Sequence, residues 1–244
     1  MAHFQTDYIF RYNEQTRRDE RHLVFDVRAL ILVIVRSVDK ALDSMMSFSK
    51  IAEGGSYRIF EAVFDDGFAV IARLPYPCTV PRTFGIASEV ATMQFLRMHG
   101  IPIPQLFDWA SSASNAVGSG YIIMARAEGR ELEHTWYTMT LQERMNMMEK
   151  IVDVEKKLFQ IQLPANGSVY HRSFLESQRN IARVPIKSVD ASEDEFCVGP
   201  STEYLWWYGG RDTLAVNRGP CTFLPVTPDM CCTTDEDQGW TQKM

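Results

Sequence analysis

Val27, Leu30, Ile31, Ile34, Val35, Val38 and Leu42 recur at steps of three and four residues, and Asp26 precedes them as a side chain suited to accept the first free helical N–H groups. An amphipathic helix is predicted there. Ser47 to Ala52, Tyr57 to Asp65 and Phe68 to Pro75 read as strands, and Asp66-Gly67 between the last two is a two-residue hairpin signal. From Ile86 to His99 the apolar residues Ile86, Val90, Met93 and Leu96 share one helical face, which Gly100 and Pro102 terminate. Pro104 to Ala110 and Tyr121 to Ala125 read as two further strands around the polar loop SSASNAVGSG. Thr140 and Glu143 form a capping box ahead of Leu141, Met145, Met148, Val152 and Phe159, which predicts a helix of about twenty residues. Beyond Pro164 the periodicity fades, and Trp206, Trp207 and Tyr208 read as a packed irregular segment. The fold class is α+β, with a five-stranded antiparallel sheet and one helix as its best-defined part.

Composition narrows the partners. With 244 residues, 45% hydrophobic and 11% aromatic, the chain can bury one large or two small cores. The net charge is −6 with both signs interspersed, so no basic stripe points to nucleic acid. The longest unbroken apolar run, Ala29 to Val35, has seven residues, whereas a spanning helix needs about 18 or more; no membrane span is expected. The first residues lack an apolar core and carry acids among their arginines, so neither a secretory signal nor a transit peptide is expected, and the cytoplasm is the compartment this implies. The five cysteines contain no Cys-x-x-Cys and read as reduced thiols, and the five histidines show no spacing suited to zinc.

Three places carry candidate chemistry. Gly54 and Gly55 lie between two strands, where absent side chains let backbone N–H groups approach a phosphate. The same pair could simply supply positive φ in a turn, and no third spaced glycine follows. Arg73 lies on the strand FAVIARLP, apolar on both faces, with Ala69 and Ile71 on its own side. A buried charge needs a partner, and Glu89 on the following helix is the natural one. The alternatives are that Arg73 runs along the strand to water and that Glu89 only complements its helix dipole.

Taken in order, FRYNEQ, FDVRAL, KIAEGGSYRIF, VIARLP, ASEVATMQFLR, GIPIPQLFDW, NAVGSGYIIMARAEGREL and NRGP resemble the aminoglycoside-phosphotransferase family of protein-kinase-like enzymes. The resemblance runs from about Tyr8 to Pro220 and is nearest one eukaryotic branch, which includes an "altered inheritance of mitochondria" protein. It implies an N-terminal helical extension over residues 1–45, a kinase-like N-lobe and hinge over 46–132, an incomplete and mainly helical C-lobe over 133–220, and a tail outside the family over 221–244. ATP would sit between the lobes. By the same resemblance Gly54, Gly55 and Ser56 match the phosphate-covering loop, Arg73 the basic residue of the third strand, and Glu89 its helix partner. Met124 and Arg126 fall in the segment that matches the hinge, where backbone groups would meet adenine. The branch would also place the protein in the mitochondrion.

The family pattern breaks in two places. Arg73 stands where the family usually has lysine, and a guanidinium fork meets phosphate differently from an ammonium. After NRGP the family continues into a His-Gly-Asp catalytic loop and a later metal-binding Asp, whereas this sequence reads CTFLPVTPDMCCTTDEDQGWTQKM. Asp212, Asp229, Asp235 and Asp237 do not substitute, because none follows a His-x pair. The tail is expected to derive from a truncated or misassembled reading frame. The resulting expectation is a phosphotransferase by ancestry that binds nucleotide weakly, holds no Mg²⁺, accepts an unknown small molecule and is inactive as it stands. The alternatives are a non-catalytic nucleotide-binding or protein-interaction module and a non-functional fragment.

Overall fold

A computed structural model of the chain describes residues 2–4, 12–187 and 195–222. The chain divides into two compact units, Met1–Gln162 and Leu163–Met244.

In the first unit, strand β1 (Ala2–Phe4) pairs antiparallel with β2 (Leu23–Phe25), with helix α1 (Glu14–Glu20) between them. Helix α2 (Val27–Ser37) follows, and Asp26 caps it by accepting a 3.0 Å hydrogen bond from the Ala29 N–H. The helix stops short of the expected Leu42 because Asp39 adopts a left-handed conformation, φ 52°, and the Lys40 N–H turns back to the Val35 carbonyl. Asp26→Ala is expected to cost about 1 kcal/mol, read as a lower urea midpoint, with Asp26→Asn retaining most of the stability.

Strands β3 (Met45–Glu53), β4 (Tyr57–Phe64), β5 (Ala69–Pro75), β6 (Leu106–Ala110) and β7 (Tyr121–Ala125) form the expected five-stranded antiparallel sheet in the order β3-β4-β5-β7-β6. Edge strand β3 is bulged twice against β4, between Met45 and Ser47 and between Lys50 and Ala52. The β4–β5 hairpin turns on Asp66-Gly67 as its sequence requires: Gly67 has φ +80°, and the Asp66 carboxylate accepts from the Phe68 N–H at 3.0 Å. Helix α3 (Arg82–Met98) starts ahead of the expected Ile86 because its first turn, Arg82-Thr83-Phe84-Gly85, carries little apolar signal. Strand alternation then gives the sheet two different faces. Phe60, Ala62, Phe64, Val70, Ala72, Leu74 and Ile123 form a core with Leu30 and Ile34 of α2, whereas Ile122 and Met124 pack with Ile86 and Val90 of α3.

Helix α4 (Leu132–Trp136), which no sequence pattern announced, precedes α5 (Leu141–Gln160). The predicted capping box is present, with Thr140 accepting from the Glu143 N–H and Glu143 from the Thr140 N–H. Leu141, Met145 and Phe159 nevertheless stay exposed on α5, at 74%, 52% and 86%.

In the second unit, β8 (Ser168–His171), helix α6 (Arg172–Ser177), β9 (Val184–Pro185) and β10 (Phe196–Gly199) form a three-stranded sheet of order β8-β10-β9 with the helix beside it. Trp207 is half-buried, donating from Nε1 to the Ser201 carbonyl at 2.8 Å, while Tyr204 and Tyr208 are exposed. Of the three clustered aromatics, Trp206 and Trp207 are thus half-buried and Tyr208 is exposed, so the segment is packed in part. Cys78 and Cys197 are free thiols, but Cys221 is disulfide-bonded, which corrects the expectation of five reduced thiols. Disulfide formation depends on distance in space, which sequence spacing does not reveal. Most of the tail expected from Cys221 onward lies outside the described residues.

Candidate functional site

Arg73 sits on β5 on the sheet face that meets α3, opposite Ile59 of β4 and Ile122 of β7. Glu89 is two turns into α3, on the helical side that packs on this sheet. Together these placements bring an Arg73 Nη1 to Glu89 Oε1 ion pair, with both side chains 26% exposed. Sequence reasoning missed the third member. Tyr57, the first residue of β4, donates its hydroxyl to Glu89 Oε2 at 2.6 Å, and the Arg73 guanidinium lies 4.4 Å from the centre of its ring. The carboxylate therefore accepts from a cation on one oxygen and a phenol on the other, which fixes its rotamer and holds Arg73 over the ring.

Burial raises the Tyr57 hydroxyl above its ordinary pKa, and the Glu89 charge and hydrogen bond push the same way, against Arg73. Burial and then Asp108 likewise push Tyr121 up to about 12. An unfolded chain releases these protons near pH 10 (about), while the folded chain keeps them. The stabilising contribution is therefore complete below pH of about 10 and is lost as pH rises further. The unfolding temperature is expected to fall above that pH, and to fall less steeply in Tyr57→Phe, in melts recorded alongside tyrosinate absorbance.

Directly before Tyr57, the segment Gly54-Gly55-Ser56 joins β3 to β4. Neither glycine adopts the left-handed region, and a Cβ on Gly55 would meet nothing within 4 Å. Positive φ is thus not the reason for this pair, and the turn leaves open space for a ligand to approach. The Gly54 N–H donates to the Tyr57 carbonyl at 2.9 Å, and the Ser56 carbonyl accepts from the Tyr76 N–H at 3.0 Å and the Thr79 hydroxyl at 2.8 Å. The backbone N–H groups of Gly55 and Ser56 have no partner among the described residues.

Behind the turn lies a polar cluster that sequence reasoning also missed. Arg58, fully buried, donates to Glu53 Oε1 at 2.8 Å, and the Tyr76 hydroxyl donates to the same oxygen at 2.8 Å. Lys50 approaches the other Glu53 oxygen at 3.6 Å. Arg21, 6% exposed at the end of α1, stacks 4.2 Å from the centre of the Tyr76 ring and donates to the Gly54 carbonyl. Alternation along β4 puts Arg58 on the side of Phe60 and Phe64, so the charge-on-an-apolar-face argument applied to Arg73 would have found it.

The two hinge candidates lie elsewhere on the sheet. Met124 is buried among Ile122, Ile86 and Val90, so its side chain is core. The Arg126 N–H donates to the Ala69 carbonyl at 3.1 Å, and its guanidinium pairs with Glu61 at 3.1 Å. Among the described residues no three His, Cys, Asp or Glu side chains gather as a metal site, and no helix is long and apolar enough to cross a membrane.

The chain is 36% identical over 186 residues to a subtelomeric hrmA-associated cluster protein of Aspergillus fumigatus, covering 76% of this chain and 35% of that protein. It is 27% identical over 175 residues to altered inheritance of mitochondria protein 9, mitochondrial, of Saccharomyces cerevisiae, covering 66% of this chain and 28% of that protein. The corresponding protein of Debaryomyces hansenii is 29% identical over 140 residues. The chain thus spans about a third of the length of the curated relatives it matches, 35% and 28% for the first two. No protein-family model matches.

Proposed function

We propose that the chain is a nucleotide-binding unit of aminoglycoside-phosphotransferase type, kinase-like by ancestry, whose 244 residues do not themselves transfer phosphate. One observation carries the reading: a turn whose Gly55 and Ser56 N–H groups have no partner among the described residues runs straight into a tyrosine locked against an Arg73–Glu89 pair. Unpaired backbone N–H groups and a fixed guanidinium are the equipment that phosphate oxygens require. Ile71, on the same face as Arg73, would be the apolar neighbour of the base, and the backbone of the Tyr121 to Arg126 segment would meet its edge. Catalysis would need a base and metal carboxylates that the sequence does not carry in kinase order. The mitochondrial names of the yeast relatives favour that organelle over the cytoplasm.

Thermal melts test the reading, because a ligand stabilises only the state that binds it. Saturating ATP is expected to raise the unfolding temperature by about 2 °C or more, with or without Mg²⁺, and adenosine by less. An unchanged melt at millimolar ATP overturns it. The exposed apolar residues of α5 favour a second reading, a protein-interaction module; concentration-dependent association of the purified chain, removed by Met145→Lys, would support it.

A further inference from the structure

Resting on the nucleotide-binding reading, we propose that Arg21 is the positioning residue of the phosphate turn: it holds the Gly54 carbonyl so that the backbone N–H group of Gly55 is presented to the ligand.

A trans peptide points its C=O and the following N–H in opposite directions. Once the Gly54 carbonyl is drawn to Arg21, on the inner side of the turn, the Gly55 N–H must face the other way. A two-residue turn between paired strands ordinarily closes with a bond from the fourth residue's N–H to the first residue's carbonyl. In this turn the first carbonyl is Gly54's, and Arg21 takes it. The bond remaining between the two ends runs from the Gly54 N–H to the Tyr57 carbonyl at 2.9 Å. At the far end the Ser56 carbonyl is anchored on Tyr76 and Thr79. The Gly54 and Ser56 carbonyls are thus held by the protein, and the N–H of exposed Gly55, which shares its peptide with the Gly54 carbonyl, is left for an outside acceptor.

Arg21 is itself fixed from several sides. Its guanidinium stacks on Tyr76 at 4.2 Å, and the Tyr76 hydroxyl is tied to Glu53 at 2.8 Å. Its backbone N–H closes α1 on the Arg18 carbonyl at 3.2 Å. A guanidinium fixed in this way, only 6% exposed, pre-sets the turn, and a pre-organised site avoids ordering its backbone when the ligand arrives. The segment that begins at α1 is thereby part of the site, although no residue of it is placed against phosphate.

The test compares ATP with adenosine on the full 244-residue chain, by ligand-observed NMR competition. Arg21→Met keeps the length of the side chain and removes the donor. It is expected to weaken ATP about tenfold or more, the scale of a hydrogen bond to a charged group, while adenosine changes less than about twofold on the same scale. A simple folding role would weaken both together, and that result, or equal ATP affinity, overturns the proposal. Should Arg21→Met fail to fold, Arg21→Lys decides, because an ammonium keeps the charge but not the planar fork. A loss of ATP affinity of about threefold at constant adenosine affinity supports the proposal, and wild-type ATP affinity overturns it. If the unsubstituted chain binds neither ligand, the nucleotide reading fails first; if it binds ATP and the variants bind it equally, only the role of Arg21 falls.

Discussion

Glu53→Ala is expected to lower stability by about 3–5 kcal/mol, the range for breaking a buried ion pair from one side. The full range applies because solvent cannot take over: Arg58 is fully buried and the Glu53 side chain is only 7% exposed. The variant removes the acceptor of both the guanidinium and the Tyr76 hydroxyl, so two buried donors lose their bond together. Urea denaturation at neutral pH measures the loss, and a value under about 1 kcal/mol would mean that the pair is effectively hydrated. Adding Arg58→Met is expected to recover part of the loss, since an apolar side chain at a formerly ionic site is often tolerated. Recovery would separate the cost of a stranded charge from the cost of the cavity.

The second large effect concerns binding. Arg73→Met is expected to reduce ATP affinity about tenfold or more while costing only about 1 kcal/mol of stability, because each partner of the Arg73–Glu89 pair is 26% exposed and screened. Glu89→Gln should fall between wild type and Arg73→Met, because the amide still accepts from Tyr57 but no longer pins the guanidinium. Calorimetric titration of ATP into each variant checks the order. Arg73→Met binding ATP like wild type would detach this cluster from the nucleotide and leave it a structural pair.

Local chemistry was legible in the sequence wherever one stretch of chain contained the whole cause. Asp26 and the Thr140–Glu143 box lie within a few residues of the N–H groups they cap, and Asp66-Gly67 completes its own turn. Tyr121–Ala125 was bounded correctly because a polar loop ended on one side and a charged segment began on the other. Arg73 and Glu89 could be paired because a charge on an apolar strand demands an acid and the next helix offered one. The rest depended on contacts across larger separations. Arg21 reaches Gly54 only after β2 and α2 have folded back beside the sheet. Tyr57 joins the pair through a strand register that no single segment encodes. The small sheet of the second unit escaped because β9, Val184–Pro185, is too short to alternate, and β8 meets β10 across an intervening helix. Met124 and Arg126 show the converse: a family position marks a segment of backbone, while their side chains are spent on the α3 core and on Glu61.

Edge strand β3 has one further consequence. With Met46 and Ile51 exposed at 70% and 49%, it would be a sticky border if it were straight, since an unpaired strand invites another chain to continue the ladder. Its two bulges interrupt the repeat that such an intruder would need, and Lys50 adds a charge along the same margin. The irregularity that loosens the β3–β4 register therefore doubles as a guard against polymerisation through this side of the sheet.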